Sequence, residues 1–454
     1  MVRCLLFLLI VVAAVPLAAD EADLSPAQRG YRNLTQRAYL PPDFDQATFD
    51  ATWKFWPEPL RAAAEKATPD ERRQMAFARY GLTPRPDDPT KPLQYVVDER
   101  GNWTMNCLSC HGGQIPDGQG GVVTWPGAPN SLFALQTLTE ETREVKAAAG
   151  TPFSRMDLGS AVVPLGTTNG TTNAVMFGVL LMAYRDADLN VAKDVFLPKM
   201  THHDMDAPPW WHFRRKKMLY ADGFAAKGHR GLMQFMLIRS NGPEKFRGWE
   251  EEFRDVFAYL SSLTPPKYPY AIDQPLAERG RVAFNRVCAE CHGTYGSSAE
   301  YPERLIPIDE LGTDPVRLAA LAPEHRAAYG NSWFADYGKL PNLSDPGGYV
   351  APPLDGIWAS GPYFHNGSVP TLWHVLHPSE RPIVWKRSPT AFDTERVGPQ
   401  VETFATRPAT ITAGWEKRLY FDTRAFGKSA GGHEFPNRLS DDEKRAVLEY
   451  LKTL

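Results

Sequence analysis

The stretches "NCLSCHGG" (Asn106–Gly113) and "CAECHGT" (Cys288–Thr294) carry one pattern twice, Cys-x-x-Cys-His. Two thiols spaced in this way reach the two vinyl groups along one edge of a porphyrin. The histidine that follows falls beneath the ring, where its imidazole can bind iron. A lone Cys-x-x-Cys says little. Here both copies are completed by histidine, and together they use every cysteine except Cys4. The pattern therefore implies two covalently bound c-type haems, one held by Cys107, Cys110 and His111, the other by Cys288, Cys291 and His292. Three other chemistries compete. Zinc knuckles lie tens of residues apart, far closer than these pairs. Two local disulfides would not call for the histidines. A thioredoxin-like pair expects a βαβ setting that the flanking sequence lacks.

Cys4 lies in "MVRCLLFLLIVVAAVPLAAD". Arg3 supplies a positive start, Leu5 to Val15 an apolar run, and Pro16 to Ala19 a small-residue exit, which reads as a secretory signal peptide over residues 1–19. The run is short for a bilayer span and no other apolar stretch approaches it, so the expectation is an exported protein, periplasmic or secreted, with no membrane span in the mature chain. The 454 residues carry a formal net charge of −3, with 43% hydrophobic and 23% charged residues. That is the balance of a globular chain without the basic patch that nucleic-acid binding requires. Forty prolines are well above ordinary usage and predict long, rigid connections between rather few regular elements.

Each haem motif is followed at a distance by a similar apolar segment, "VFAYLSSL" (Val256–Leu263) and "VLEYLKTL" (Val447–Leu454). Both read V-x-x-Y-L-x-x-L at helical spacing. Ser440 and Glu443 form a capping box before the second, and Pro265 and Pro266 end the first. The second motif is led by "PLAERGRVAFNRV", a helix with Val282, Phe284 and Val287 available to pack. Motif then closing helix, twice, predicts a mainly α, loop-rich fold of two c-type cytochrome domains, residues 101–264 and 268–454, joined near "TPPKYPY" (Thr264–Tyr270). Residues 20–100 read as an N-terminal extension.

The motif histidine fills one axial position of a haem iron; the other decides between electron transfer and chemistry. All eleven methionines lie at or before Met236, so the second domain has no methionine to offer. Five histidines follow His292: His325, His365, His374, His377 and His433. The glycine-rich approach "SAGGHEF" favours His433, because flexible backbone can carry an imidazole to a porphyrin face. For the first haem, Met156, Met176, Met182, Met200, Met205, Met218, Met233, Met236, His202, His203 and His229 all stay open.

At "APPLDGIWASGPYFHNGSVPTLWHVL" (Ala351–Leu376) the chain resembles the bacterial di-haem cytochrome c peroxidase superfamily. Through "YFHNGSVPTL" and the terminal "GGHEF…LSDDEKRAVLEYLKTL" it is most similar to the di-haem rubber-oxygenase-like branch. The resemblance runs from about Asn102 to the end and is specific around the two motifs and after Pro352. It implies a division of labour: the haem on His111 reacts with peroxide or dioxygen, and the haem on His292 is a low-spin relay whose second ligand matches His433. Tyr363 and His365 match the Tyr and His that lie beside the haems in that superfamily. Its inter-haem Trp stretch is replaced here by "MLYADGF", with Ala221 at the Trp position; Trp210 or Trp211 is the candidate substitute. Calcium is common between the haems of the superfamily, and no acidic loop here marks a site for it. The function so implied is an exported di-haem oxidoreductase that takes a small oxidant and electrons from a carrier protein. The alternative is a non-catalytic di-haem electron-transfer protein with both irons six-coordinate.

Overall fold

The computed structural model describes residues 23–192, 200–297 and 299–454. The proposed signal peptide, residues 1–19, and Cys4 lie outside them. Helix exceeds strand, and the elements are short: among the described residues many helices are a single turn, and most strands run two to five residues. Regular elements are thus more numerous, though briefer, than the proline content suggests. No helix among the described residues is long and apolar enough to cross a membrane.

Two helix crossings organise the chain. In the second half, the leading helix Gln274–Val287 runs straight into Cys288 and crosses the closing helix Asp441–Leu451. Ser440 and Glu443 cap that closing helix reciprocally, as its sequence indicates. Phe284 is buried at the crossing and Val287 packs beside it, but Val282 is 61% exposed. Val282 differs from the expectation because it sits two residues from Phe284, on the opposite side of the helix.

In the first half the same role falls to Pro26–Gln36, a helix far ahead of its haem motif. It crosses the closing helix Glu250–Ser262. The two crossings match position for position. A Cβ on Gly30 would stand 2.1 Å from Asp255 O and 2.8 Å from Tyr259 Cβ; one on Gly280 would stand 1.9 Å from Ala446 O and 2.9 Å from Tyr450 Cβ. Only glycine lets the backbones approach so closely. Arg29 adds a two-pronged ion pair to Asp255, at 2.7 and 2.8 Å. The first helix of residues 20–100 is therefore packed into the first haem-motif half. What intervenes, up to Asn106, folds around an aromatic cluster of Phe44, Phe49, Trp56, Phe77, Tyr80, Tyr95 and Trp103, which Phe133 and Leu138 join from beyond the first motif. A strand, Asn102–Met105, and not a helix delivers the chain to Cys107.

Substituting Gly280→Ala is expected to cost about 2 kcal/mol or more by overpacking, and Gly30→Ala to act alike. A thermal melt of either variant that coincides with the parent's would show that the crossing is looser than described.

Candidate functional site

Both motif histidines are held in the same way. His111 Nδ1 lies 3.0 Å from the carbonyl oxygen of Pro208, and His292 Nδ1 lies 2.9 Å from that of Pro352. A carbonyl can only accept, so Nδ1 carries the proton in each ring and Nε2 is left with a free lone pair. Burial keeps both rings neutral, pushing His111 down to about 4 and His292 down as well. The two carbonyls belong to one repeated tripeptide, Ala207-Pro208-Pro209 and Ala351-Pro352-Pro353. Proline pairs hold extended backbone and carry no N–H, so the first carbonyl stays available to a side chain.

The two motifs open onto one cavity of about 930 Å³, at the upper end of the range for ligand pockets. Cys107, Cys110, His111, Cys288, Cys291 and His292 all line it, with Tyr363, His365 and His433. All four motif cysteines are free thiols. Burial raises Cys107 to about 11 and both Cys110 and Cys288 to about 12. Redox-active thiol pairs need the opposite shift. Free thiols beside a large apolar space, each pair with an imidazole whose Nε2 is unprotonated, fit covalent haem.

His433 sits at the end of the glycine-rich approach, with left-handed backbone at Gly432 (φ 73°) and at His433 itself (φ 53°). Its ring centroid is 6.2 Å from that of His292, the planes inclined by 62°. Two imidazoles on opposite sides of one metal, each bonded at about 2 Å, have their centroids about 6 Å apart. Burial lowers His433 to about 3, so it too is neutral. His111 instead has an indole as its ring neighbour, Trp210, stacked at 4.7 Å.

The remaining candidates divide. Of the histidines and methionines open for the first haem, Met156, Met205 and Met236 line the cavity, while Met176 and Met233 are buried elsewhere. His202 and His229 are paired 3.0 Å from Asp204 and Glu250, and His203 bonds the Thr201 carbonyl. Tyr363 lines the cavity, but its hydroxyl donates to Ile357 O at 3.0 Å, and burial raises its pKa well above the usual range. His365 stacks on Tyr349 at 4.3 Å, with burial lowering it to about 3. Trp211 does not line the cavity. It is fully buried behind it, and its Nε1–H donates to Asp355 O at 2.8 Å. His212 Nε2 shares that carbonyl at 2.8 Å. Ala221 lines the cavity, and its carbonyl accepts from Val350 N.

Beside Ala221 the carboxylate of Asp222 is fully buried between Arg317 and Arg326, with contacts of 3.0 and 2.8 Å. Among the described residues no group of three His, Cys, Asp or Glu gathers to hold a metal ion. The buried Asp204 carboxylate takes the Lys428 ammonium at 2.9 Å.

Two echoes in the sequence carry no known motif and gain meaning only beside the structure. "AQRG" (Ala27–Gly30) returns as "AERG" (Ala277–Gly280), which marks the first leading helix, and "APP" recurs at 207–209 and 351–353, which marks the two carbonyls.

Residues 348–386 match a family model described as RoxA-like, cytochrome c-like. A cytochrome c-like segment is present. The match supports a link to the di-haem cytochromes c and implies haem c as cofactor; the segment holds Pro352, Tyr363 and His365. Two relatives from Sinorhizobium fredii (strain NBRC 101917 / NGR234) are similar. "Uncharacterized protein y4iM" is 30% identical over 237 residues, covering 44% of this chain and 53% of the relative. "Uncharacterized protein y4iJ" is 26% identical over 261 residues, covering 43% and 42%. The chain thus spans about half the length of the curated relatives it matches.

Replacing Asp222 with Asn would leave two arginines buried without their counter-charge, at an expected cost of about 3–5 kcal/mol. Burial opposes the Asp222 charge, but Arg317 and Arg326 outweigh it and hold the carboxyl below its ordinary range. Its stabilisation is therefore complete above the unfolded value near ~4 and is lost as pH falls through the folded value. Acid titration of the parent and of Asp222→Asn should show the parent's advantage shrinking below that pH. An advantage independent of pH would contradict the assignment.

Proposed function

We propose that the chain is an exported di-haem c-type oxidoreductase in which the two haems differ in axial ligation. The observation that carries this is the unequal surroundings of the two motif histidines: a second imidazole, His433, has its ring centroid 6.2 Å from that of His292, whereas among the described residues the ring in contact with His111 is the Trp210 indole. His111 would bind one iron and leave its other face to a small oxidant, peroxide or dioxygen. His292 and His433 would bind the second from both sides. Bound haem supplies one-electron and oxygen chemistry.

The protein's own contribution is positional. Pro208 and Pro352 fix the proton on Nδ1, orient each ring and strengthen Nε2 as a donor. Tyr363 and His365 form part of the cavity wall, the first protonated and the second neutral at ordinary pH, and neither is charged enough to draw in water. Trp210 against His111, followed directly by Trp211 bonded to Asp355 O, joins the surroundings of one motif to those of the other. We assign to this pair the relay role that Ala221 cannot fill. Electrons would come from a carrier protein. In this reading the chain forms two haem units, each a leading helix, a motif and a closing helix, and residues 1–19 direct export.

Spin state tests the reading. The protein should show one low-spin haem indifferent to carbon monoxide and cyanide, and one that binds them, either as isolated or once the other is reduced. His433→Ala should abolish the low-spin signal. Two haems that stay low-spin and bind neither ligand in every redox state would leave only the electron-transfer alternative.

Trp211→Phe keeps the bulk of the side chain and removes the bond to Asp355. Inter-haem electron transfer measured by flash reduction should slow at least tenfold while both haem spectra stay unchanged. An unaltered rate would remove Trp211 from the relay.

A further inference from the structure

His433 differs from the two motif histidines, which line the same cavity, in having no hydrogen bond to hold its ring. Its Nδ1 is buried without a hydrogen-bond partner, whereas His111 and His292 each donate to a proline carbonyl. Its aim must therefore come from its backbone and from the rings around it. That backbone is left-handed at two successive residues, a conformation that a side-chain-bearing residue adopts only when its surroundings enforce it.

One side chain supplies that enforcement. Arg381 Nη1 donates to Ala430 O at 2.7 Å and to Gly432 O at 2.6 Å, the carbonyls just ahead of His433. Its Nε donates to His374 O at 3.0 Å, in the short helix Leu372–Leu376 whose Leu372, Val375 and Leu376 line the cavity. The guanidinium also lies 5.0 Å from the ring of Phe364, and that ring stands 5.9 Å from the His433 imidazole. From the other side, His433 N–H donates to Leu311 O at 2.7 Å. Gly432 lies so close that a Cβ would stand 2.2 Å from Gly312 C. The loop is thus caught between a turn and a guanidinium that also packs on the ring next to the imidazole.

We propose that Arg381 is the positioning residue for His433: it clamps the 430–433 loop to the cavity wall and so keeps the imidazole opposite His292. Arginine suits this because its donors are fixed in one plane and can bond two chain segments at once. A lysine ammonium on its flexible stem is a point donor that cannot span them with the same order. The inference rests on the reading of His433 as an axial ligand and deepens it.

The experiment compares Arg381→Met, Arg381→Lys and His433→Ala in the full-length haem-loaded protein. The readouts are the low-spin signal and carbon monoxide binding after reduction. Arg381→Met should lose most of the low-spin signal of one haem and gain carbon monoxide binding there, and added imidazole should restore the low-spin form. Arg381→Lys should fall between Met and the parent. The spectrum of the other haem should not move. These changes should appear far below the melting temperature, which a general loss of stability would not produce. If Arg381→Met does not accumulate, Arg381→Lys decides: a parental low-spin fraction there overturns the proposal. If His433→Ala loses the signal while Arg381→Met keeps it in full, the clamp is overturned and the ligand reading stands. If neither variant changes the spectrum, both fail.

Discussion

An imidazole N–H bonded to a proline carbonyl, made once at His111 and once at His292, is the constraint on which the site depends. It fixes the tautomer, which frees Nε2, and fixes the ring, which aims Nε2 into the shared cavity. It also dictates where two stretches remote from the motifs must run, since the carbonyl-bearing Ala-Pro-Pro segments have to pass beneath the rings. The first is tied down by Gly127, whose N–H donates to His111 O at 2.7 Å and whose carbonyl accepts from Trp210 N at 2.8 Å. The second is tied to the first through Asp355, whose carbonyl takes donors from both Trp211 and His212. One carbonyl with two lone pairs thereby joins the two halves of the chain directly behind the cavity.

Much of this was legible because the chemistry is local in sequence. Cys-x-x-Cys-His needs no tertiary knowledge, and the closing helices announce themselves by period, by the capping box at Ser440 and by the prolines after Leu263. His433 stands out as a candidate by elimination, since no methionine follows Met236 and few histidines follow His292. The first leading helix was harder. Its short signature, Ala-x-Arg-Gly, gains meaning only beside the copy at residues 277–280, and an aromatic-cored insertion separates it from its motif. What singles out Gly30 is a distance to Asp255, about half the chain away. Val282 shows the opposite failure: an apolar residue in an amphipathic helix, turned to solvent because the crossing occupies the face of Gly280 and Phe284. The Arg381 clamp was invisible for a simpler reason. It binds carbonyls, and a carbonyl leaves no trace in the residue letters.

Among the described residues, three of the eight non-glycine residues with left-handed backbone, Tyr220, Phe364 and His433, line the cavity, where the surrounding structure must enforce that conformation. The Asp222 carboxylate with its two arginines lies next to Ala221 on the cavity wall. A buried charged triad is weak support for stability in itself, and its effect here is to bind residues 317 and 326 to residue 222 beside the cavity. The glycine-mediated helix crossings carry the packing, and the proline carbonyls carry the aim.

The most direct test of the whole account is the intact mass of the mature protein produced in cells that attach haem to Cys-x-x-Cys-His sites. The mass should exceed that of the bare polypeptide by two haems, falling to one when either Cys107 and Cys110 or Cys288 and Cys291 are replaced by alanine. A mature chain of unmodified mass, or one haem that persists whichever pair is removed, would contradict it.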